Sequence, residues 1–168
     1  MLMNSPAPQA TVAWYIGHLG FRLSGTMCVG DRGEVMWFVR CNTFHHGFGI
    51  VRGPHAAFHH ASFGMRGIGE FMCGTGRMRR LGIERLWGPG RHRAGDNAFS
   101  YFLDRAGSTV DYTTELEIVD EGIWHPHIFG LRDPANADRW GTADELDGFI
   151  AATSHNDVDP GLFTAPPV

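Results

Sequence analysis

The chain lacks any run rich in Lys or Arg, and its 14 basic residues are outnumbered by 18 acidic ones, a formal charge of −4. That balance excludes the basic footprint of a nucleic-acid partner. No apolar stretch approaches the ~18 residues that a membrane span requires. The opening MLMNSPAPQA has neither the basic region nor the long apolar region of a secretory signal. Cysteine is scarce: Cys28, Cys41 and Cys73 have no metal-motif spacing, and an odd count fits poorly with a disulfide framework. These absences point to a cytoplasmic protein with reduced thiols. What is present is a hydrophobic fraction of 43% over 168 residues, enough for a real core, and ten histidines, more than average usage predicts.

An internal repeat organises the chain. QATVAWYIGHLGFRLSGTM and GIGEFMCGTGRMRRLGIERLWG each read as an amphipathic helix closed by Leu-Gly and followed by an apolar strand. Val12, Tyr15, Ile16 and Leu19 recur at helical spacing before Gly20, as Phe71, Met72, Met78 and Leu81 do before Gly82. Both stripes read as core packing. Leu19-Gly20 and Leu81-Gly82 lie 62 residues apart, implying two supersecondary units packed as one body.

Strand signals follow each helix. The first unit offers 21–28, 35–40 and 47–51; the second offers 83–87, 98–103 and 109–116, with a further strand at 57–65 before its helix. The second unit is therefore β-α-β-β-β. The first is α-β-β-β, its opening strand cut to MLMN or absent. WGPGRH reads as a stiff turn that holds His92 nine residues before Tyr101. After about Ile118 the pattern stops, and residues 119–168 read as an extension wrapped over the domain, with one short helix near 143–152. The domain itself is 1–118, with modules of about 1–54 and 55–118.

Paired β-α-β-β-β modules resemble the vicinal oxygen chelate superfamily, which includes glyoxalases, bleomycin-resistance proteins and type I extradiol dioxygenases. The ordered set TFHH, FHHASF, WGPGRH and YFLDRAGSTVDYTTE resembles the catalytic, C-terminal half of a catechol-cleaving extradiol dioxygenase over residues 4 to 118. The resemblance implies an α+β fold, with the modules forming an incomplete β-barrel cup whose first strand is truncated. It implies an aromatic diol and O2 as substrates and Fe(II), with Mn(II) the alternative, as cofactor. Imidazole and carboxylate suit such an ion, and open positions let substrate and oxygen meet on it. By the motif matches His60 and Asp111 fall at metal-ligand positions. His46 falls at the acid–base position, and His92 and Tyr101 where side chains contact substrate and oxygen.

The chain departs from the family twice. Asp111 stands where the family has Glu, and one methylene leaves the carboxylate ~1.5 Å shorter. Glu115 shares the face of Asp111 under strand alternation but lies four residues further along. The offset of 62 subtracted from His60 gives −2, so the first His ligand is expected upstream of Met1 and metal binding is expected to be impaired. An exposed edge left by the shortened strand leads to the expectation of a homo-oligomer. His45 and His59 alternate away from their neighbours and read as structural or exposed, and His125 and His127 as tail residues. Trp37, Phe48, Phe63 and Phe99 suit either a pocket wall or a strand core. Two other functions stay open: a catalytically silent module that binds a hydrophobic small molecule, and a glyoxalase-like metalloenzyme.

Overall fold

The computed structural model describes residues 1–143 and 147–154. Its elements run β1 (Leu2–Ser5), α1 (Pro8–Leu19), β2 (Arg22–Cys28), β3 (Glu34–Arg40), β4 (Phe48–Arg52), then β5 (Ala57–Gly64), α2 (Ile68–Arg80), β6 (Arg85–Arg91), β7 (Ala98–Leu103), β8 (Thr109–Thr114). Beyond these lie β9 (His127–Gly130), α3 (Pro134–Ala137) and α4 (Asp147–Ser154). All the strands join one nine-stranded sheet, ordered β6-β7-β8-β5-β1-β4-β3-β2-β9. The repeat is visible in that order: β1-β4-β3-β2 and β5-β8-β7-β6 run outward from a central antiparallel β1–β5 pair, each starting with a parallel step. The sheet is open, as expected of an incomplete barrel.

The first strand is short but present, four residues that pair with β4 on one side and β5 on the other. The sheet edges therefore fall at β6 and β9 and not at β1, which corrects the expected site of unpaired backbone. The residues past 118 contribute β9, which pairs in parallel with β2. The helix expected near 143–152 begins at Asp147, and residues 144–146 and 155–168 lie outside the described residues.

Each helix packs on its own module through a stripe narrower than the sequence suggests. Pro8 occupies the first turn of α1, where its missing N–H costs nothing, and Gly20 ends the helix in a left-handed conformation (φ 69°). Val12 and Tyr15 pack on Trp37, Val39, Phe48 and Ile50, whereas Ile16 and Leu19 are exposed. In α2 the buried residues are Phe71 and Thr75, while Met72 and Leu81 are exposed. A helix on a sheet buries one line of side chains, and residues about 100° round from that line meet water. Gly74 lets α2 approach closely, since a Cβ there would lie 3.2 Å from the Tyr112 ring.

WGPGRH is not a turn. Strand β6 continues through Gly88, Pro89 and Gly90 to Arg91, with the Gly88–Pro89 peptide cis. Two facts permit this. β6 is an edge strand, where proline's missing donor faces no partner, and the register shifts between Trp87 and Gly90 to absorb an extra residue. A Cβ on Gly90 would meet the Phe99 ring at 2.6 Å and Asp138 at 2.7 Å, so only glycine fits.

Candidate active site

A cavity of about 330 Å³ opens on the sheet face opposite the two helices. Strands of both modules line it, so the sheet curves around it. Tyr101 pairs with Asp111 across β7–β8, and Asp111 with Ser62 across β8–β5. Directly opposed residues share a face, and Ser62 lies two residues past His60. His60, Tyr101 and Asp111 therefore point the same way, into the cavity, where His46 and His92 join them. All five side chains singled out by the motifs meet there.

His46 arrives on a loop, not a strand. The segment 43–45 is zipped to 117–119 by His45 N–H donating to Glu117 O (2.8 Å) and Val119 N–H donating to Thr43 O (2.7 Å). Gly95 closes over His46. A Cβ there would sit 3.0 Å from His46 Cε1 and 2.9 Å from Leu116, and its φ of +83° favours glycine independently.

The two His-His pairs repeat one arrangement. His45 and His46 approach Nδ1 to Nδ1 at 2.8 Å, and so do His59 and His60. One nitrogen of each pair donates and the other accepts. Neither leading histidine is exposed: His45 is fully buried against Phe38 and Trp124, and His59 lines the cavity. The alternation argument fails at His59 because the β1–β5 register shifts there. Leu2 pairs with His60 but Met3 with Phe58, leaving His59 as the extra residue of a bulge.

His92 has a defined tautomer. Its Nδ1 lies 2.9 Å from the Ala137 carbonyl, which can only accept, so Nδ1 carries the proton. Nε2 is then an acceptor and takes the Tyr101 hydroxyl at 3.1 Å. Phe99 stacks on the imidazole at 3.9 Å. Sequence reasoning missed Ala137, Asn136 and Phe149, which come from α3 and α4. Phe149 lies 4.4 Å from the Tyr101 ring and 5.2 Å from Trp87. No local signal announces contacts this distant in sequence. The aromatics offered as wall residues lie elsewhere: Trp37 and Phe48 pack against α1, Phe63 is exposed, and Phe99 sits behind His92. Phe38, one residue from Trp37 and on the other face, lines the cavity instead.

Burial governs the site's protonation. It drives His46 and His60 well below the usual imidazole value, helped by the neighbouring His45 and His59 respectively, and takes His92 to about 4. Desolvation pushes the Asp111 carboxyl far up, against hydrogen bonds from Ser62 and the Ser100 backbone, and raises the Tyr101 phenol. The site alone is thus a cluster of neutral imidazoles around a carboxyl that resists ionising.

Asp111 Oδ1 is buried with no hydrogen-bond partner, and His60 commits Nδ1 to His59. An imidazole nitrogen and a carboxylate oxygen are donors that a mid-row divalent ion accepts. Among the described residues no cluster of three or more His, Cys, Asp or Glu is arranged to hold an ion. Glu115 does not contribute. β8 ends at Thr114, Glu115 takes φ 57°, and its carboxylate turns outward to Arg91 at 2.7 Å.

No protein-family model matches the chain. It is 30% identical over 137 residues to metapyrocatechase 2 of Cupriavidus necator, covering 79% of this chain and 41% of that protein. It is 34% identical to the Mn(II)-bound glyoxalase from Novosphingobium aromaticivorans, with a TM-score of 0.83, over 98% of this chain and 52% of that one. Homoprotocatechuate 2,3-dioxygenase from Arthrobacter globiformis superimposes with a TM-score of 0.76 at 20% identity, over 94% of this chain and 49% of that one, and shows the shared fold. The chain thus spans about half the length of these relatives, or less. Among the described residues no helix is long and apolar enough to cross a membrane. With its paired modules, its open sheet and these similarities, the chain has the fold of the vicinal oxygen chelate superfamily, and its motifs resemble the type I extradiol dioxygenases within it.

Proposed function

We propose that this protein cleaves a catechol-like aromatic diol next to its hydroxyls, using O2 and a divalent metal ion. The observation that supports it most is the convergence of His60, Asp111, His46 and the His92–Tyr101 pair at one end of an apolar cavity. In this reading His60, through Nε2, and Asp111, through its unpartnered oxygen, would hold Fe(II) or Mn(II). When bound, the ion supplies positive charge toward the diol oxygens and one-electron chemistry toward O2. Asp111, kept protonated by burial in the chain alone, would be a carboxylate beside such a dication.

The chain's own groups then divide the proton work. His46 is neutral at pH 7, and in the tautomer whose Nδ1–H donates to His45 it offers Nε2 as a base for a diol hydroxyl. The same nitrogen returns that proton later in the cycle. Tyr101 keeps its proton and donates a hydrogen bond, while His92 stays neutral and fixes the phenol's direction. Trp87, Phe38 and Phe149 exclude water from the ring.

The division into a chelate domain (1–118) and an extension (119–168), a cytoplasmic location and a homo-oligomeric state belong to the same proposal. The unpaired cysteines support the location. A second reading, a glyoxalase-like isomerase, is favoured by the 34% identity to the Mn(II)-bound glyoxalase. One experiment separates them. The chain is loaded with Fe(II) or Mn(II) and supplied with catechol, and O2 uptake and yellow ring-opened product are recorded, with His60→Ala as control. Stoichiometric O2 consumption that is lost in the control supports cleavage. No O2 uptake under any loading rejects it.

A further inference from the structure

The cavity wall carries information about the ring's substituent, and the argument rests on the diol reading above. At about 330 Å³ the cavity is at the small end of ligand sites, which suits a one-ring compound. Its titratable side chains, His46, His60, His92, Tyr101 and Asp111, gather together. Beside the neutral Ser62, Asn97, Thr113, Asn136 and Thr153, the wall is thioether, aliphatic or aromatic: Met27, Met36, Phe38 and Leu131 in one cluster, Trp87 and Phe149 in another.

Among the described residues no arginine lines this space, and the chain contains no lysine. Nearby guanidinium groups are engaged elsewhere. Arg91 is held by Asp96 and Glu115, Arg40 by Glu121 and Ser24, and Arg139 by Asp96. The Met1 ammonium lies at the reactive end, where it acts on Asp111, so a carboxylate set against the apolar wall leaves water and meets no cationic side chain, and an unpaired buried charge is costly.

We propose that the cavity selects uncharged one-ring diols and rejects diols that carry a carboxylate. The test uses a size-matched pair, 3,4-dihydroxyphenylacetate and its methyl ester, titrated calorimetrically without oxygen into the Mn(II)-loaded chain. The ester is expected to bind roughly 100-fold or more tightly than the acid. Met36→Arg and Leu131→Arg, on separate elements, each place a guanidinium on the apolar wall. At least one, shown folded by its thermal melt, should narrow the gap about tenfold or more, because Arg pairs with carboxylate in two hydrogen bonds. Equal or tighter binding of the acid to the unmodified chain overturns the selectivity and leaves diol cleavage standing. A gap unchanged in folded Arg variants overturns the missing cation as its cause. If neither compound binds, the diol reading fails and this inference fails with it.

Discussion

The Tyr101 hydroxyl donates to His92 Nε2 at 3.1 Å, in a direction dictated from the far side of the ring by the Ala137 carbonyl. Tyr101→Phe keeps the packing on Trp87 and Phe149 but leaves Nε2 without a donor. We expect about 1–3 kcal/mol of lost stability. Turnover should fall roughly 100-fold. Thermal melts and O2 uptake measure the two effects, and an unchanged rate would remove Tyr101 from the chemistry.

Asp111 predicts opposite responses with and without metal. Burial raises its carboxyl far above 3.8, so the folded chain holds a proton there that the unfolded chain has released at neutral pH. The stability this carboxyl contributes is therefore present at low pH and lost as pH rises. Asp111→Asn should raise the melting temperature of the metal-free chain at pH 7.5 by a few degrees, on the order of 1–2 kcal/mol. Under the proposed metal site, Mn(II) should raise the melting temperature of the parent chain, and the same variant should abolish that shift. A retained Mn(II) shift would exclude Asp111 as a ligand.

The buried imidazoles act in the other sense. His45, His59 and His92 titrate at about 4 when folded, chiefly because they are buried, against 6.5 when exposed. Below 6.5 the unfolded chain binds protons that the folded chain refuses, so stability is lost as pH falls from 6.5 toward 4. Melting of the metal-free chain should drop by about 5 °C or more between pH 7 and pH 4.5. A flat profile over that window would mean that these rings meet solvent.

Gly95→Ala tests the loop over His46. The left-handed φ and the close approach to His46 and Leu116 should together cost about 1–2 kcal/mol. The catalytic loss should exceed what a change in stability explains, because the added methyl pushes the His46 ring. Turnover measured well below the melting temperature decides the point.

Much of this architecture is legible in the sequence because it repeats. Leu19-Gly20 and Leu81-Gly82 end equivalent helices, and the motif resemblance groups His60, Tyr101 and Asp111, which the cross-strand register places on one face. Legibility fails where the period breaks. A bulge turns His59 inward, and Glu115 leaves its strand through a positive φ. Gly88-Pro89-Gly90 looks like a turn because its composition is that of turns, yet an edge position and a register shift keep it in β6. Met72 and Leu81 carry apolar side chains at plausible spacing, but only one line of α2 reaches the sheet. The contacts of Ala137 and Phe149 follow from how the chain returns over the cavity, which no local pattern encodes.

That return has a consequence for how such a protein can change. The groups proposed for chemistry sit in the duplicated modules, whereas Leu131, Asn136, Ala137 and Phe149 come from a segment with no counterpart in the repeat. Substitutions at Leu131 or Phe149 can reshape what enters without disturbing the strands that hold His60 and Asp111. Ala137 is different, because its carbonyl sets the proton on His92 through the main chain, whatever side chain stands there. Innovation in ligand choice is thus partly uncoupled from the proposed reactive centre, with the Ala137 carbonyl as a tie that no side-chain substitution removes.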